Sequence, residues 1–228
     1  MREDDSKGGR EWASTLWSTV LRARDRDPAA LERLCARYWR AIYHYILCRR
    51  RDRESAQDLT QAFLLYVIEK DLLSRKDPEH GSFRGFLRAS VDRFLSDQYD
   101  HERALKRGGG LRRIDLDFAK AEIDASENPE RAFLRSYAAE TLARVLERCG
   151  RELPSDQVRA LRLRFGFDGE RPSYAEIAHD LGVSESDVTN LVHRAKERFR
   201  ELLIEEVRET VSSAEDLQSE LRFLRQIL

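Results

Sequence analysis

SYAEIAHDLGVSESDVTNLVHRAKERFRELL, residues 173–203, has the pattern of two amphipathic helices separated by a tight turn. Gly182 suits the turn, and we expect Val183 to fill the gap behind it. Ser184 can cap the second helix, with Asp187 three residues later completing a capping-box-like start. The apolar residues recur at helical spacing and should share one core: Tyr174, Ile177, Ala178 and Leu181 in the first helix, Val188, Leu191, Val192 and Ala195 in the second.

This pattern is typical of a helix-turn-helix unit, whose second helix enters the major groove of DNA. The outward residues of that helix are then Glu185, Ser186, Thr189, Asn190, His193, Arg194 and Lys196. Asn190 could read an adenine edge and Thr189 a thymine methyl group. The alternative is that these residues are ordinary polar helix surface, and that Arg194 and Lys196 contact only phosphates.

Helical periodicity continues through the rest of the chain, without a persistent strand-like alternation. The 228 residues include only 11 Gly and 5 Pro, which disfavours many short strands and turns. An acidic, glycine-containing segment interrupts the periodicity and is typical of a linker. We therefore predict an all-α chain of two helical domains. The N-terminal domain is residues 12–107, the linker is 108–128, the C-terminal domain with the helix-turn-helix is 129–211, and a helical tail follows at 212–228.

Two helices of the N-terminal domain carry further candidate residues. In SAQDLTQAFLLYVIEK, residues 55–70, an apolar stripe is formed by Ala56, Leu59, Phe63 and Val67. The opposite face is predicted to expose Gln57, Asp58, Thr60 and Gln61. The helix predicted for about residues 82–106 carries arginines that suit phosphate contacts: Arg84, Arg88 and Arg93.

At this point the chain resembles a bacterial RNA polymerase sigma factor of the extracytoplasmic-function (ECF) type. Residues 173–203 are similar to the promoter-reading unit in the fourth region of that family. DPAALERLCARYWRAIYHYI (27–46), residues 55–70 and FRGFLRASVDRFLSDQYDHERA (83–104) are similar to its second region. A helix-turn-helix alone is shared by many regulators, whereas this ordered pair of halves is more specific.

The resemblance implies that the protein binds core RNA polymerase and promoter DNA. The second region would dock on the polymerase clamp helices, read the minus-ten element and help to separate the strands, with the loop 74–82 forming a pocket for a flipped base. The fourth region would read the minus-thirty-five element and bind the polymerase flap. An anti-sigma factor is a further candidate partner.

The resemblance also draws attention to the helix at residues 55–70. In the family its start commonly reads Asp-Ala-Glu-Asp-Leu-Val-Gln-Glu, and here it reads SAQDLTQA, so that only Asp58 keeps its charge. The polymerase-binding surface would therefore be Gln57, Asp58 and Gln61. A phosphate on Thr60 adds about −1.5 to −2 charge, and a sigma-factor subgroup with a depleted acidic patch is activated in that way by a Ser/Thr kinase. The alternative is that Thr60 is a plain surface residue.

Other function classes have little support in the sequence. The three cysteines and five histidines sit at no metal-ligand spacing, and no phosphate loop or catalytic triad is recognisable. We expect no enzyme activity, no cofactor and no bound metal, and a cytoplasmic protein without a signal peptide or membrane span. The main alternative function is a stand-alone helix-turn-helix regulator with an N-terminal sensing domain. The leucine stripe of the tail could pack on either domain, hold the two together or bind a regulator.

Overall fold

The computed structural model describes residues 18–75, 82–104 and 127–227. In these ranges the chain forms α-helices and one short 3₁₀ turn, Leu72–Arg75, and no strand. The all-α prediction is therefore confirmed. The helices are α1 Ser18–Arg24, α2 Pro28–Arg50, α3 Arg53–Glu69, α4 Phe83–Ala104, α5 Pro129–Glu152, α6 Ser155–Phe165, α7 Tyr174–Leu181, α8 Glu185–Arg208 and α9 Ala214–Ile227.

The helix starts follow from local side-chain chemistry. The Asp27 carboxylate accepts a hydrogen bond from the amide of Ala29 at 3.0 Å, and Pro28 occupies the first position of α2. The Asp52 carboxylate accepts from the amide of Ser55 at 2.7 Å at the start of α3. Each cap satisfies an amide that has no partner inside the helix, and so defines where the helix begins.

The chain divides into two compact units, the first made of two segments and the second of one. The first unit is Met1–Glu140 together with Val207–Leu228, and the second is Thr141–Glu206. The tail therefore groups with the N-terminal helices, and α5 and α8 each contribute to both units. This division differs from the predicted domain bounds, in which 129–211 formed one domain and 212–228 stood apart.

The core of the first unit is rich in aromatic side chains. The Tyr38 ring stacks on Tyr137 at 5.5 Å between centroids and meets the edge of Phe83 at 5.3 Å. Phe63 contacts Phe94 in the same edge-on manner at 5.5 Å. These contacts join α2, α3, α4 and the first part of α5, since aromatic rings combine a large buried area with a preferred geometry.

The second unit has a smaller core built by the helix-turn-helix and α6. It contains Ala160, Ile177, Ala178, Val188 and Val192, with Tyr174, Leu181 and Leu191 packed around it. The predicted inward face of both helices is thus confirmed. Val183 is an exception, because its side chain is 39% exposed and does not fill the gap behind the turn. Of the helices described here, none combines the length and apolarity required to span a membrane.

Candidate functional site

The start of α8 is held by the turn that precedes it. Gly182 adopts φ 67°, a left-handed conformation that favours glycine, and ends α7. The Ser184 hydroxyl donates to the Asp187 carboxylate at 2.6 Å, and the Asp187 amide donates back to the hydroxyl at 3.1 Å. The Ser184 hydroxyl and, to a smaller extent, the Ser184 amide donate to the Asp187 carboxylate and lower the pKa of that carboxyl. A negative charge in the first turn of α8 also suits the helix dipole.

The residues of α8 that were predicted to meet DNA are all exposed. They are Ser186, Thr189, Asn190, His193, Arg194 and Lys196. Their spacing of three and four residues places most of them on one stripe, opposite the buried Val188 and Val192. The Thr189 hydroxyl donates to the Glu185 carbonyl at 3.0 Å, so its hydrogen is already used within the helix. Base contact by any of the six stays a prediction.

Ion pairs within the second unit brace α8 against the second part of α5. Arg144 pairs with Glu206 at 2.7 Å, and Arg148 pairs with Glu205 at 2.5 Å. Arg198 joins Glu152 at 2.5 Å and Glu201 at 2.7 Å. Glu206 is only 7% exposed, so its pair with Arg144 is screened less by solvent than the others. The network holds the C-terminal part of α8 and leaves its N-terminal turns open.

The three residues predicted to bind polymerase are at least partly accessible on α3. Asp58 is exposed, and Gln57 and Gln61 are half-buried. Glu54 in the first turn of α3 is also exposed. The surface thus carries little negative charge, as the sequence indicated. Docking of polymerase on these residues stays a prediction.

The prediction that Thr60 lies on this outward face was wrong. Thr60 is 0% exposed, and its hydroxyl donates to the Ala56 carbonyl at 2.6 Å. Its neighbours in the core of the first unit include Ala56 and Phe63, both also 0% exposed. A hydroxyl bonded to the preceding helical turn can be buried without a further partner. A kinase could reach Thr60 only if α3 first opened locally.

Three arginines of α4 that were predicted to contact phosphates stand in different surroundings. The Arg84 side chain is 19% exposed and pairs with Glu220 at 3.0 Å. Arg88 pairs with Glu130 at 3.1 Å, and both side chains are exposed. Arg93 is exposed. Phosphate contact by these arginines stays a prediction, and for Arg84 it requires that Glu220 be displaced.

Sequence reasoning missed Glu220, a carboxylate that is 3% exposed on α9. The signal was available in the spacing. Glu220 lies three residues after Leu217 and four before Leu224, so it shares the face that those buried leucines form. A charged residue within an apolar stripe indicates a specific buried partner. Among the described residues that partner is Arg84.

The described residues contain no group of three or more His, Cys, Asp or Glu side chains that could hold a metal ion. Burial raises the pKa of the Cys35 thiol to about 11, with Glu32 adding to the effect. Such a thiol is almost entirely protonated at neutral pH and is a poor nucleophile. Part of the predicted base pocket, residues 76–81, and most of the predicted linker, residues 108–126, lie outside the described residues.

Comparison with known proteins gives one family match. The family model described as ECF sigma factor matches residues 22–205. No curated protein matches the chain. The matched range includes α3, α4 and all but the last three residues of α8, and it ends before the tail helix α9.

Proposed function

The chain belongs to the ECF sigma factor family, and we propose that it docks on core RNA polymerase through α3 and reads promoter DNA with α8. A sigma factor directs the initiation of transcription by the polymerase to which it binds. The observation that carries the proposal is the open N-terminal part of α8. Its polar and basic residues are exposed on one stripe, while its apolar residues are buried and its start is capped.

The chemistry of α8 supports both kinds of DNA contact. Arg194 and Lys196 can neutralise phosphates, which adds affinity and salt dependence without choosing a sequence. Asn190 has the amide donor and acceptor that match an adenine edge. We assign sequence reading to Asn190 and phosphate contact to Arg194. On this assignment α8 reads the minus-thirty-five element.

Docking on polymerase is assigned to Gln57, Asp58 and Gln61 on α3. In the family this position carries more acidic residues, which complement basic polymerase side chains. Charges at the rim of an interface affect the association rate more than the final affinity. The nearly neutral surface of this chain should therefore slow recruitment by polymerase rather than abolish it.

Phosphorylation of Thr60 by a Ser/Thr kinase is a separate proposal that would add charge to the same helix. The burial of Thr60 counts against it, because the phosphate has no space in the closed domain. We therefore propose that the unmodified chain recruits core polymerase. A kinase and an anti-sigma factor stay predictions about partners.

The test is transcription in vitro from genomic DNA fragments with core polymerase and the purified full chain, followed by sequencing of RNA 5′ ends. We expect starts that depend on the added chain and share an upstream motif. Arg194→Ala should weaken initiation, whereas Arg200→Ala is the matched control, because Arg200 is exposed further along α8. Equal activity of both variants would contradict the role of α8, and no binding to core polymerase would contradict the proposed function itself.

A further inference from the structure

The tail helix α9 lies on the start of α4 within the first unit. The Arg84 guanidinium donates to the Glu220 carboxylate at 3.0 Å. The same guanidinium lies 4.2 Å from the centroid of the Phe223 ring and 5.6 Å from that of Tyr137. Arg84 is thus enclosed by one carboxylate and two aromatic rings, and two of these three partners belong to α9.

Burial of the Glu220 carboxylate against α4 carries a desolvation penalty that an apolar side chain would avoid. The Glu220 side chain is 4% exposed, and its second oxygen, Oε1, has no hydrogen-bond partner among the described residues. A buried ion pair often contributes no more to stability than apolar residues of similar size. Leu217 and Leu224 on the same face show that apolar packing was available here. The carboxylate therefore gives α9 a specific attachment to Arg84.

Residues 207–213, which precede α9, are held by contacts with α1 and α2. The Glu209 carboxylate accepts hydrogen bonds from Arg37 at 2.9 Å and from the Thr19 hydroxyl at 2.9 Å. Ser213 accepts a hydrogen bond from the amide of Asp216 at 3.0 Å and so caps α9. These bonds do not involve Arg84. The second half of α9, residues 220–227 (the Glu220 end), is therefore held by other contacts than those of Glu209 at the start of the tail.

A guanidinium that binds a carboxylate binds a phosphate by the same donor geometry. We propose that α9 is an intramolecular lock: Glu220 occupies Arg84, and Arg84 contacts nucleic-acid phosphate only after the Glu220 end of α9 has moved away. The competing phosphate is taken from the proposed function, in which α4 meets opened promoter DNA. The lock itself rests on the contacts of Arg84.

This lock would weaken the binding of single-stranded DNA by the free protein before polymerase is bound. Displacement of α9 breaks the Arg84–Glu220 pair and the Arg84–Phe223 contact, and it uncovers Leu224. Those losses must be offset by new contacts, which a single DNA phosphate does not supply. Polymerase, or the opened promoter as a whole, can supply them.

The experiment measures binding of a fluorescein-labelled 20-nucleotide single-stranded DNA of mixed sequence to the full chain by anisotropy. Glu220→Gln should bind the DNA about 3- to 10-fold more tightly than wild type, which corresponds to about 0.7 to 1.4 kcal/mol. The slope of log affinity against log salt should steepen by roughly 0.7, because one phosphate contact is added. Glu215→Gln is the matched control, since Glu215 is an exposed carboxylate on the same helix.

Two further variants test the role of Arg84. The gain should disappear in the double variant Arg84→Gln/Glu220→Gln. Phe223→Leu should also raise the affinity, and it keeps an apolar side chain if Glu220→Gln proves unstable. The lock is wrong if Glu220→Gln and Phe223→Leu bind no more tightly than Glu215→Gln, or if the gain persists without Arg84.

A pull-down of core polymerase with the same samples separates this proposal from the proposed function. If the wild-type chain does not bind core polymerase, the proposed function is contradicted and the lock is not. Hydrogen exchange adds a direct readout of α9. We expect saturating single-stranded DNA to speed exchange of the amides of residues 220–227 in the wild-type chain, and unchanged or slower exchange would contradict the lock.

Discussion

At the scale of single residues, Thr60 shows how a polar side chain becomes part of a core. It lies four residues after Ala56 and seven before Val67, and both of these are buried. By helical geometry it therefore falls within their stripe. Its polar side chain suggested the outer face, but the bond from its hydroxyl to the Ala56 carbonyl removes the cost of burial. The helical spacing therefore predicts the burial of Thr60 better than its polar side chain does.

Substitutions of Thr60 distinguish a buried packing residue from a phosphorylation switch. Thr60→Val should change the free energy of unfolding by no more than about 1 kcal/mol, because the Ala56 carbonyl keeps its helical amide donor. Thr60→Glu should destabilise by about 3 kcal/mol, since it buries an unpaired charge. Urea unfolding measures both. Gln61→Glu is the control and should be tolerated.

Transcription in the native host cells, which would contain any such kinase, completes this comparison. If Thr60→Val transcribes as well as wild type, the switch is excluded. If it folds normally and yet loses transcription, phosphorylation of Thr60 regains support and the proposed recruitment of the unmodified chain is wrong.

His44 on α2 provides a pH test of the same core. Its side chain is 7% exposed, and neither ring nitrogen has a hydrogen-bond partner among the described residues. Burial lowers the pKa of His44 to about 4, with Arg135 and Arg40 acting in the same direction. The folded pKa lies below the unfolded value, so the unfolded state binds more protons between about pH 6.5 and 4. The stability that depends on neutral His44 is fully present above about pH 6.5 and is lost as the pH falls towards 4.

The expected loss from His44 is about 2 kcal/mol in the free energy of unfolding between about pH 7.5 and pH 5. Urea titrations at both pH values measure it. In His44→Phe, which fills a similar volume without a titrating group, the loss should be smaller by about that amount. His193→Gln on the exposed face of α8 is the control, and a His44→Phe profile parallel to wild type would refute the assignment.

At the scale of the elements, most helix starts could be predicted and some helix ends could not. Asp27 and Ser184 are caps whose chemistry is visible in the sequence, and the structure confirms both. Gly150 is a residue at which α5 could have ended, but the helix continues to Glu152 and stops before Pro154. A glycine permits a helix end without requiring one, whereas proline disfavours the helical conformation of the residue before it.

The position of α9 was beyond the reach of periodicity. The spacing of its leucines predicts that one face is covered, but it does not reveal which element covers it. The answer depends on contacts between residues distant in sequence, such as Arg84 with Glu220. For the same reason, local spacing predicted the exposed stripe of α8 but did not predict that Arg84 is paired with Glu220.

Packing of α9 predicts that the tail is part of the domain. Leu224 is 0% exposed, so Leu224→Ala should destabilise the first unit by about 2–5 kcal/mol. Leu221, on the same helix, is only half-buried. Leu221→Ala is therefore the matched control and should cost clearly less. Urea unfolding followed by tyrosine and tryptophan fluorescence measures both, and equal effects would show that α9 is not held in this position.

The α3 surface allows a prediction about recruitment. Gln57→Glu restores an acidic residue that the family commonly has at this position, and it should speed association with core polymerase about 3-fold at low salt, with little effect on dissociation. Gln218→Glu adds the same charge to an exposed position of α9 in the same unit and should leave the rate unchanged. Surface plasmon resonance at two salt concentrations measures both rates. An equal effect of the two substitutions would show that α3 does not face polymerase.

At the scale of the whole molecule, charge separates the two functions that the helix-turn-helix allows. The chain has 41 Lys and Arg against 42 Asp and Glu, a formal net charge of −1. Counterion release from DNA provides essentially all of the non-specific affinity of a DNA-binding protein and a large share of its specific affinity. Here many cations are already paired within the chain, among them Arg144, Arg148 and Arg198 of the second unit. DNA binding should therefore depend on polymerase.

We expect the free chain to bind double-stranded promoter DNA with a Kd of about 1–100 µM at physiological salt, the range of non-specific binding. With core polymerase present, the chain should bind the promoter at least about a thousandfold more tightly than it binds unrelated DNA. The reason is that polymerase contributes further phosphate contacts and orients α8. Anisotropy with the promoter identified by in vitro transcription measures both states. Tight, sequence-specific binding by the free chain would instead identify a stand-alone regulator, since such a protein must find its site without polymerase.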